Sequence, residues 1–299
     1  MINKPYFCIL LATYNGMNWI EDQISSIINQ ENIKLDIYVS DDQSSDGTIE
    51  YLQKLNLNNL YILNKTDKFN IASKNFFRLI KEVNFDIYDY VALCDQDDIW
   101  LKEKLFTAYQ KLSSSKYNCY SASVEAFWDS GKSKNIILSN KQKKYDYFYE
   151  SAGPGCTFVL DKKSALDFQI FLKKNWNVIF QQIKVHDWFL YFYMRSKNYR
   201  WYIDDKVVVK YRQHYSNELG VNYGFAGILK RLKMLNYNFA KNHLLVFGDL
   251  LPNKNQLFFS YYNKNKFYFI YFFIKNFGKF RRKFFDNFKL LLLVFWGGN

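Results

Sequence analysis

The first 112 residues repeat one unit: an apolar run, a polar turn, then a stripe of apolar residues at helical spacing. Residues 7–12 are continuously apolar, as expected of a strand covered on both faces. Thr13, Tyr14, Asn15 and Gly16 break the run. Asn18 then reads as a helix cap with Glu21 three positions on, and Ile20, Ile24, Ile27 and Ile28 line one face. Ile33, Leu35, Ile37 and Val39 alternate as a second strand ending at Asp41 and Asp42, and Ser45 or Asp46 caps a helix carrying Ile49, Leu52 and Leu55. Residues 60–63 predict a third strand, 70–81 a third helix and 90–94 a fourth strand. This alternation predicts an α/β domain with a mainly parallel central sheet, helices on both faces, and ligands at the carboxyl ends of the strands.

The fourth apolar run ends in Asp95, Asp97 and Asp98, three carboxylates within four positions. Like charges that close repel and lose hydration, so they require water, hydrogen bonds or a cation. Asp97 or Asp98 can cap a helix bearing Leu101, Leu105, Ala108, Tyr109 and Leu112. One cap uses one carboxylate, and the oxygens left over suit a hard divalent ion. Thr13 to Asn15, Asp41 with Asp42, and Asp95 to Asp98 all follow strand ends, so they should meet at one edge. The chain has neither G-x-G-x-x-G nor a P-loop, so phosphates bound there would be neutralised through a metal bridge.

Beyond residue 112 the pattern loosens. Residues 118–124 read as a strand and 128–144 as a solvated, lysine-rich loop. Gly153 and Gly155 precede a strand over 158–160 and allow close backbone approach to a ligand. His186 and Asp187 open a helix too apolar to be exposed, and 199–203 and 207–211 read as two strands around a turn at Asp204 and Asp205. His214 follows, as a surface residue or a metal ligand.

At 299 residues the chain holds one large domain, or one domain with an appendage. Cys8, Cys94, Cys119 and Cys156 form no paired motif, which points to reduced, buried thiols in a cytosolic protein. The N-terminal apolar run is too short for a signal peptide and lacks a cleavage site, and no run reaches the roughly 18 apolar residues of a spanning helix. Of the net charge of +13, thirteen basic residues against Asp249 and Asp286 place +11 beyond residue 224. There, helices are predicted over 227–235 and 239–251, and apolar aromatic runs over 267–274 and 290–296 are separated by Lys275, Lys279, Arg281, Arg282 and Lys283. Basic residues between aromatic ones suit an interfacial helix on an anionic membrane; a helical appendage packed on the catalytic domain or forming a dimer fits equally well. No nucleic-acid recognition module accompanies this region, so nucleic acid is not an expected partner.

Strand, Thr13-Tyr14-Asn15, helix, strand, Asp-Asp-x-Ser-x-Asp-Gly-Thr from Asp41, and an Asp-x-Asp after an apolar strand: in that order these resemble the family 2 glycosyltransferases of the GT-A fold. Asp95-Gln96-Asp97-Asp98-Ile99-Trp100 is similar to the bacterial subgroup assigned as rhamnosyltransferases. The resemblance covers about residues 5–220. It implies a GT-A catalytic domain over 1–222, with a nucleotide-binding half over 1–112 and an acceptor half over 113–222, followed by a basic, aromatic-rich helical region over 223–299. It departs from the family at Asn70-Ile71-Ala72-Ser73-Lys74-Asn75, where a glycine usually follows the Asn soon after.

The resemblance implies that Thr13, Tyr14 and Asn15 contact the nucleotide and that Asp42 or Asp41 bonds the pyrimidine base. Asp95 would reach the ribose or a metal-bound water, and Asp97 with His214 would hold Mn2+ or Mg2+. Asp98 is left as the helix cap. Gly153, Gly155, Trp100, His186, Trp188 and Arg212 would face the donor or acceptor, Arg212 toward phosphate, and Asp187 would be the general base of an inverting transfer. The expected partners are a UDP- or dTDP-linked sugar, rhamnose or another hexose, and a growing cell-surface glycan: a polysaccharide, O-antigen or lipooligosaccharide, free or lipid-linked. The expected location is cytoplasmic, at the inner face of the plasma membrane, with the C-terminal region also available for oligomer contacts. A metal-dependent nucleotidyltransferase would need a basic, glycine-rich loop near the N-terminus, absent here, and a non-enzymatic basic membrane-binding protein would leave Asp97 and Asp187 unexplained.

Overall fold

The computed structural model describes residues 4–214, 237–251, 255–263 and 266–296. The predicted helix over 227–235 lies outside these residues. The first half follows the alternation read from the sequence: β1 (Tyr6–Thr13), α1 (Ile20–Ile28), β2 (Lys34–Asp41), α2 (Thr48–Lys54), β3 (Leu60–Ile62), α3 (Ala72–Glu82) and β4 (Tyr90–Asp95). β1 pairs in parallel with β2 and β4, and β2 with β3. Side chains of β1 alternate between two cores. Phe7, Ile9 and Leu11 join Ile20, Ile24 and Ile27 of α1 on one face; Cys8, Leu10 and Ala12 join Phe76, Phe77, Leu79 and Ile80 of α3 on the other. A strand covered on both faces has no solvent side, which is why its sequence reads as an unbroken apolar run.

The second half comprises β5 (Ile99–Trp100), α4 (Lys104–Leu112), β6 (Cys119–Trp128), β7 (Ser133–Ile136), β8 (Val159–Asp161), α5 (Lys162–Lys174), α6 (Trp176–Gln182), α7 (His186–Ser196) and β9 (Trp201–Gln213). The sheet runs β3-β2-β1-β4-β8-β6-β9-β5, with β7 paired to β6. Here the sheet is mixed: β8 lies antiparallel to β4 and β6, β5 antiparallel to β9, and β6 parallel to β9.

Four local expectations are corrected. Helix α1 starts without a side-chain cap, its first N–H groups being taken by the Gly16 carbonyl rather than by Asn18. Residues 133–136 are not loop but the return strand of a hairpin, with Trp128 N–H bonded to Lys132 O and Gly131 left-handed in the turn. Asp204 and Asp205 do not reverse the chain: β9 runs straight through and absorbs them as a bulge, Ala122 pairing with Asp204 and Ser123 with Val207. Asp98 does not cap α4, whose N-cap is Glu103 with no side-chain bond.

After the undescribed stretch come α8 (Tyr237–Leu250), α9 (Gln256–Tyr262), α10 (Lys266–Lys275) and α11 (Phe284–Trp296). Leu244 and Phe247 of α8, Phe258 of α9, Phe272 and Phe273 of α10 and Val294 of α11 are buried in the core shared with α3, α5 and α7. Salt bridges fasten the same region. Arg281 and Arg282 reach Glu150, and Arg282 also approaches Asp146, itself fully buried and held by Arg195 at 3.0 Å. Among the described residues no helix is long and apolar enough to cross a membrane.

Candidate active site

The carboxyl ends of β1, β2 and β4 open on a cleft of about 1440 Å³, closed on its far side by the Ser151–Gly155 turn, the start of α7, the β7 segment and residues Arg282 and Lys283. The ends of β1 and β4 are clamped together: Tyr14 N–H donates to Gln96 Oε1 and Gln96 Nε2 to Tyr14 O, both at 2.8 Å. A Cβ on Gly16 would stand 2.3 Å from Gln96 Oε1, so the turn after β1 requires glycine for the clamp to close. Asn15 is left-handed, and its Oδ1 accepts from Ser45 N–H.

Thr13, Tyr14 and Asn15 line the cleft, with Tyr14 41% exposed and Lys68 Nζ stacked over its ring. Asp42 also lines it, but is 4% exposed and accepts the N–H groups of Phe69 and Asn70. Asn70 is left-handed (φ 57°), so an asparagine makes the turn before α3 while Asp42 satisfies its amides. Asp41 is turned away from the cleft lining. Its carboxylate takes Thr13 Oγ1, Ser44 N–H and Ser44 Oγ, and thereby shapes the turn.

Asp95 and Asp97 line the cleft at the end of β4, and His214 reaches it from the end of β9. His214 Nε2 is 2.8 Å from Asp97 Oδ2, and the imidazole stacks on Trp19 at 3.9 Å between ring centroids. A carboxylate oxygen and an imidazole nitrogen this close are a donor pair that could hold a divalent ion such as Mn2+, with other oxygen ligands completing the set. Trp19, Asn75 and Gln96 are among the site residues that sequence reasoning missed, as are Arg282 and Lys283. Asn75 donates from inside α3 to Thr13 O and Ser40 O, at 3.1 and 2.8 Å, and carries no spacing signal that marks it.

Asp98 behaves unlike its neighbours. It is fully buried and accepts from Arg212 N–H, and burial, reinforced by the Asp97 charge, pushes its carboxyl well above the usual range. Close by, burial pulls the Lys104 ammonium down to about 7; it lies 3.1 Å over the Trp100 ring. Ligand atoms of Asp95, Asp98 and Cys156 lie within 4.8 Å of one another, a second cluster of cation-binding type. Its burial favours the neutral forms of Asp98 and the Cys156 thiol, and a thiol is a poor ligand for a hard ion.

On the opposite wall, Asp187 occupies the first turn of α7 and lines the cleft, its Oδ1 accepting Trp188 N–H at 2.7 Å. The positive end of the helix favours negative charge there. His186 stacks on Phe76 at 4.1 Å, and desolvation holds its imidazole neutral, with the pKa lowered to about 3. Gly155 exists because of this ring: a Cβ there would lie 2.7 Å from His186 Nε2. Gly153, at φ 137°, lines the same wall.

Three expected donor or acceptor contacts are corrected. Trp100 is 2% exposed beneath Lys104, outside the cleft lining. Trp188 is buried against Phe247, its Nε1 bonded to Tyr147 O. Arg212 braces the loop after β4 instead of facing the cleft: Nε donates to Asp97 O at 3.0 Å and Nη2 to Asp22 at 2.7 Å. Period and spacing cannot tell an aromatic aimed at a ligand from one aimed at the core.

Comparison with known proteins bears on the family and the fold. Residues 8–173 match the model of glycosyl transferase family 2. The chain is 38% identical to the dTDP-rhamnosyl transferase RfbG of Shigella flexneri over 95% of this chain and 98% of that protein. It is 33% identical to the abequosyltransferase RfbV of Salmonella typhimurium over a third of this chain and 29% of that one. Among solved structures, S. aureus TarS in complex with UDP-GlcNAc superposes with a TM-score of 0.56 at 16% identity, covering 98% of this chain and 87% of that one. The mannosyltransferase PcManGT from Pyrobaculum calidifontis, in complex with GDP-Man and Mn2+, gives 0.54 at 12% identity, covering 100% and 89%. These two likenesses establish the GT-A fold, and the family match and the long relative together establish that the chain belongs to glycosyl transferase family 2.

Proposed function

We propose that this glycosyltransferase moves a deoxyhexose of the rhamnose type from a dTDP-linked donor to a hydroxyl of a growing cell-surface glycan, with inversion and with a divalent metal. The observation that carries the reading is the arrangement of Asp97 with His214 on one wall of a single cleft and Asp187 on the other. The choice of donor is supported by the 38% identity to a relative named as a dTDP-rhamnosyl transferase. Thr13, Tyr14 and Asn15 seat the nucleotide and Asp95 takes the ribose side. Asp42 reaches the base with whatever acceptor capacity its two backbone bonds leave; Asp41, outside the lining, acts through the turn it shapes.

A divalent ion held by Asp97 and His214 would neutralise the charge that develops on the departing diphosphate. Asp187 takes the proton of the acceptor hydroxyl as that oxygen attacks the anomeric carbon opposite the leaving group. One base with no covalent intermediate yields inversion. His186, packed on Phe76, walls the site beside Gly155.

The work is proposed for the cytoplasmic side at the membrane, where contact through α10 and α11 would engage one leaflet. Thermal-shift titration with dTDP-rhamnose, UDP-glucose and GDP-mannose, each with Mn2+, tests the donor, since a bound donor stabilises the folded state by mass action. A shift confined to dTDP-rhamnose is expected; a shift with UDP-glucose or GDP-mannose and none with dTDP-rhamnose rejects it.

A further inference from the structure

The C-terminal helices bury one face and leave the other apolar. On α10, Phe272 and Phe273 are buried, whereas Phe267, Tyr271 and Ile274, at i, i+4 and i+7, are 82%, 58% and 55% exposed. On α11, Leu290 and Val294 are buried, and Phe284, Phe288 and Leu292, at i, i+4 and i+8, are exposed. Phe277, in the intervening turn, packs on Phe284 and Phe288 with ring centroids 5.9 and 4.7 Å apart, so the turn joins the two stripes. An apolar surface shared by two helices and rimmed by charged residues marks an interaction site.

The charges around it select the partner. Lys275, Lys279, Lys283 and Lys289 are exposed at its rim. Over 267–295 the one acidic residue is Asp286, already paired with Lys289 at 3.0 Å and near Arg281. A second copy meeting this face about a two-fold axis would set lysine rim against lysine rim. Anionic lipid headgroups complement it, and exposed aromatic rings beside lysines suit the headgroup and acyl boundary.

We propose that α10, the Phe277 turn and α11 form a seat on an anionic membrane surface, lying in one leaflet. Lys283, directly before Phe284, also lines the catalytic cleft, so the seat borders the cleft and holds that end of it near the lipid. This deepens the membrane location proposed above and rests on it. The measurement needs neither donor nor transfer, so seat and transfer can fail separately.

Full-length protein is floated with vesicles of phosphatidylcholine alone and with 30% phosphatidylglycerol, a composition chosen to give a clear negative surface. Flotation is expected with the anionic vesicles, at least about tenfold weaker for a Phe284→Ser/Phe288→Ser double variant that keeps the wild-type circular dichroism, and weaker for Lys275→Gln/Lys279→Gln. Absent flotation, flotation equal for all three proteins, or light scattering showing a dimer that the double variant dissolves would each overturn the seat. Should the double variant not fold, a fluorophore settles the matter. The four native cysteines are buried, so Phe267→Cys and Ile87→Cys label selectively. A lipid-borne quencher is expected to quench residue 267 and spare 87, and equal quenching rejects the proposal.

Discussion

His214 Nε2 meets Asp97 Oδ2 at 2.8 Å across 117 positions of chain, because β9 ends beside the loop that follows β4. Arg212 ties the two segments by bonding Asp97 O and Asp98 Oδ1 from the same strand. Asp97→Ala and His214→Ala should each abolish the Mn2+-dependent rise in melting temperature expected of the wild type with donor, and lower transfer more than about 100-fold, beyond the usual loss for a merely supporting partner. An undiminished Mn2+ response in both variants would refute the metal assignment.

Asp187→Asn keeps the shape and the bond from Trp188 N–H but cannot take a proton. Transfer should fall by about 10² to 10⁴, the usual contribution of a general base, while the donor dissociation constant stays within twofold. A rate near wild type would move the base elsewhere.

Gly155→Ala forces His186 to move, since a Cβ would lie 2.7 Å from its Nε2. Overpacking of this kind costs about 1–3 kcal/mol, measurable as a lower urea midpoint, and the shifted start of α7 should also slow transfer. Unchanged stability and rate would show that the wall is looser than the geometry requires.

Asp42→Ala strips the acceptor from Phe69 and Asn70 N–H ahead of α3. Leaving such amides unpaired costs about 1–3 kcal/mol, so chemical denaturation should show that loss without any ligand present. Loss of donor binding at full stability would instead mark Asp42 as purely a base-recognition residue.

His186 has a folded-state pKa lowered to about 3 by burial, against an ordinary value of 6.5. Between those values the unfolded chain binds the extra proton, so stability rises with pH through this window and is lost as pH falls below 6.5. From pH 7.5 to 5.5 the wild type should lose about 1 kcal/mol more than His186→Gln. Identical pH dependence would place the ring in contact with water.

The nucleotide half was legible because its information is local. The unbroken runs of β1 and β4, the alternation of β2 and the polar strand ends report burial on two faces and a ligand edge, and each is visible within ten residues. Gly153, Gly155 and Asp187 could likewise be singled out, by conformational freedom and by a charge opening an apolar helix. The hairpin of β6 and β7 was not legible, since Ser133, Lys134 and Asn135 carry no apolar alternation. Nor was the bulge at Asp204 and Asp205, whose acidic pair looks like a turn until β6 is laid beside it.

The sequence by itself determined the order of strands and helices, the edge where ligands collect and the carboxylates gathered there, because periodicity and charge repulsion act between neighbours in the chain. Tertiary structure alone decided which of those groups share the cleft. It buried Asp98, Trp100 and Trp188, turned Arg212 onto the loop after β4 and brought His214 to Asp97 and Gln96 to Tyr14. It also laid Lys283 along the cleft while exposing Phe284. Such choices depend on register and on the direction in which each side chain leaves the sheet, and a single residue of offset reverses that direction.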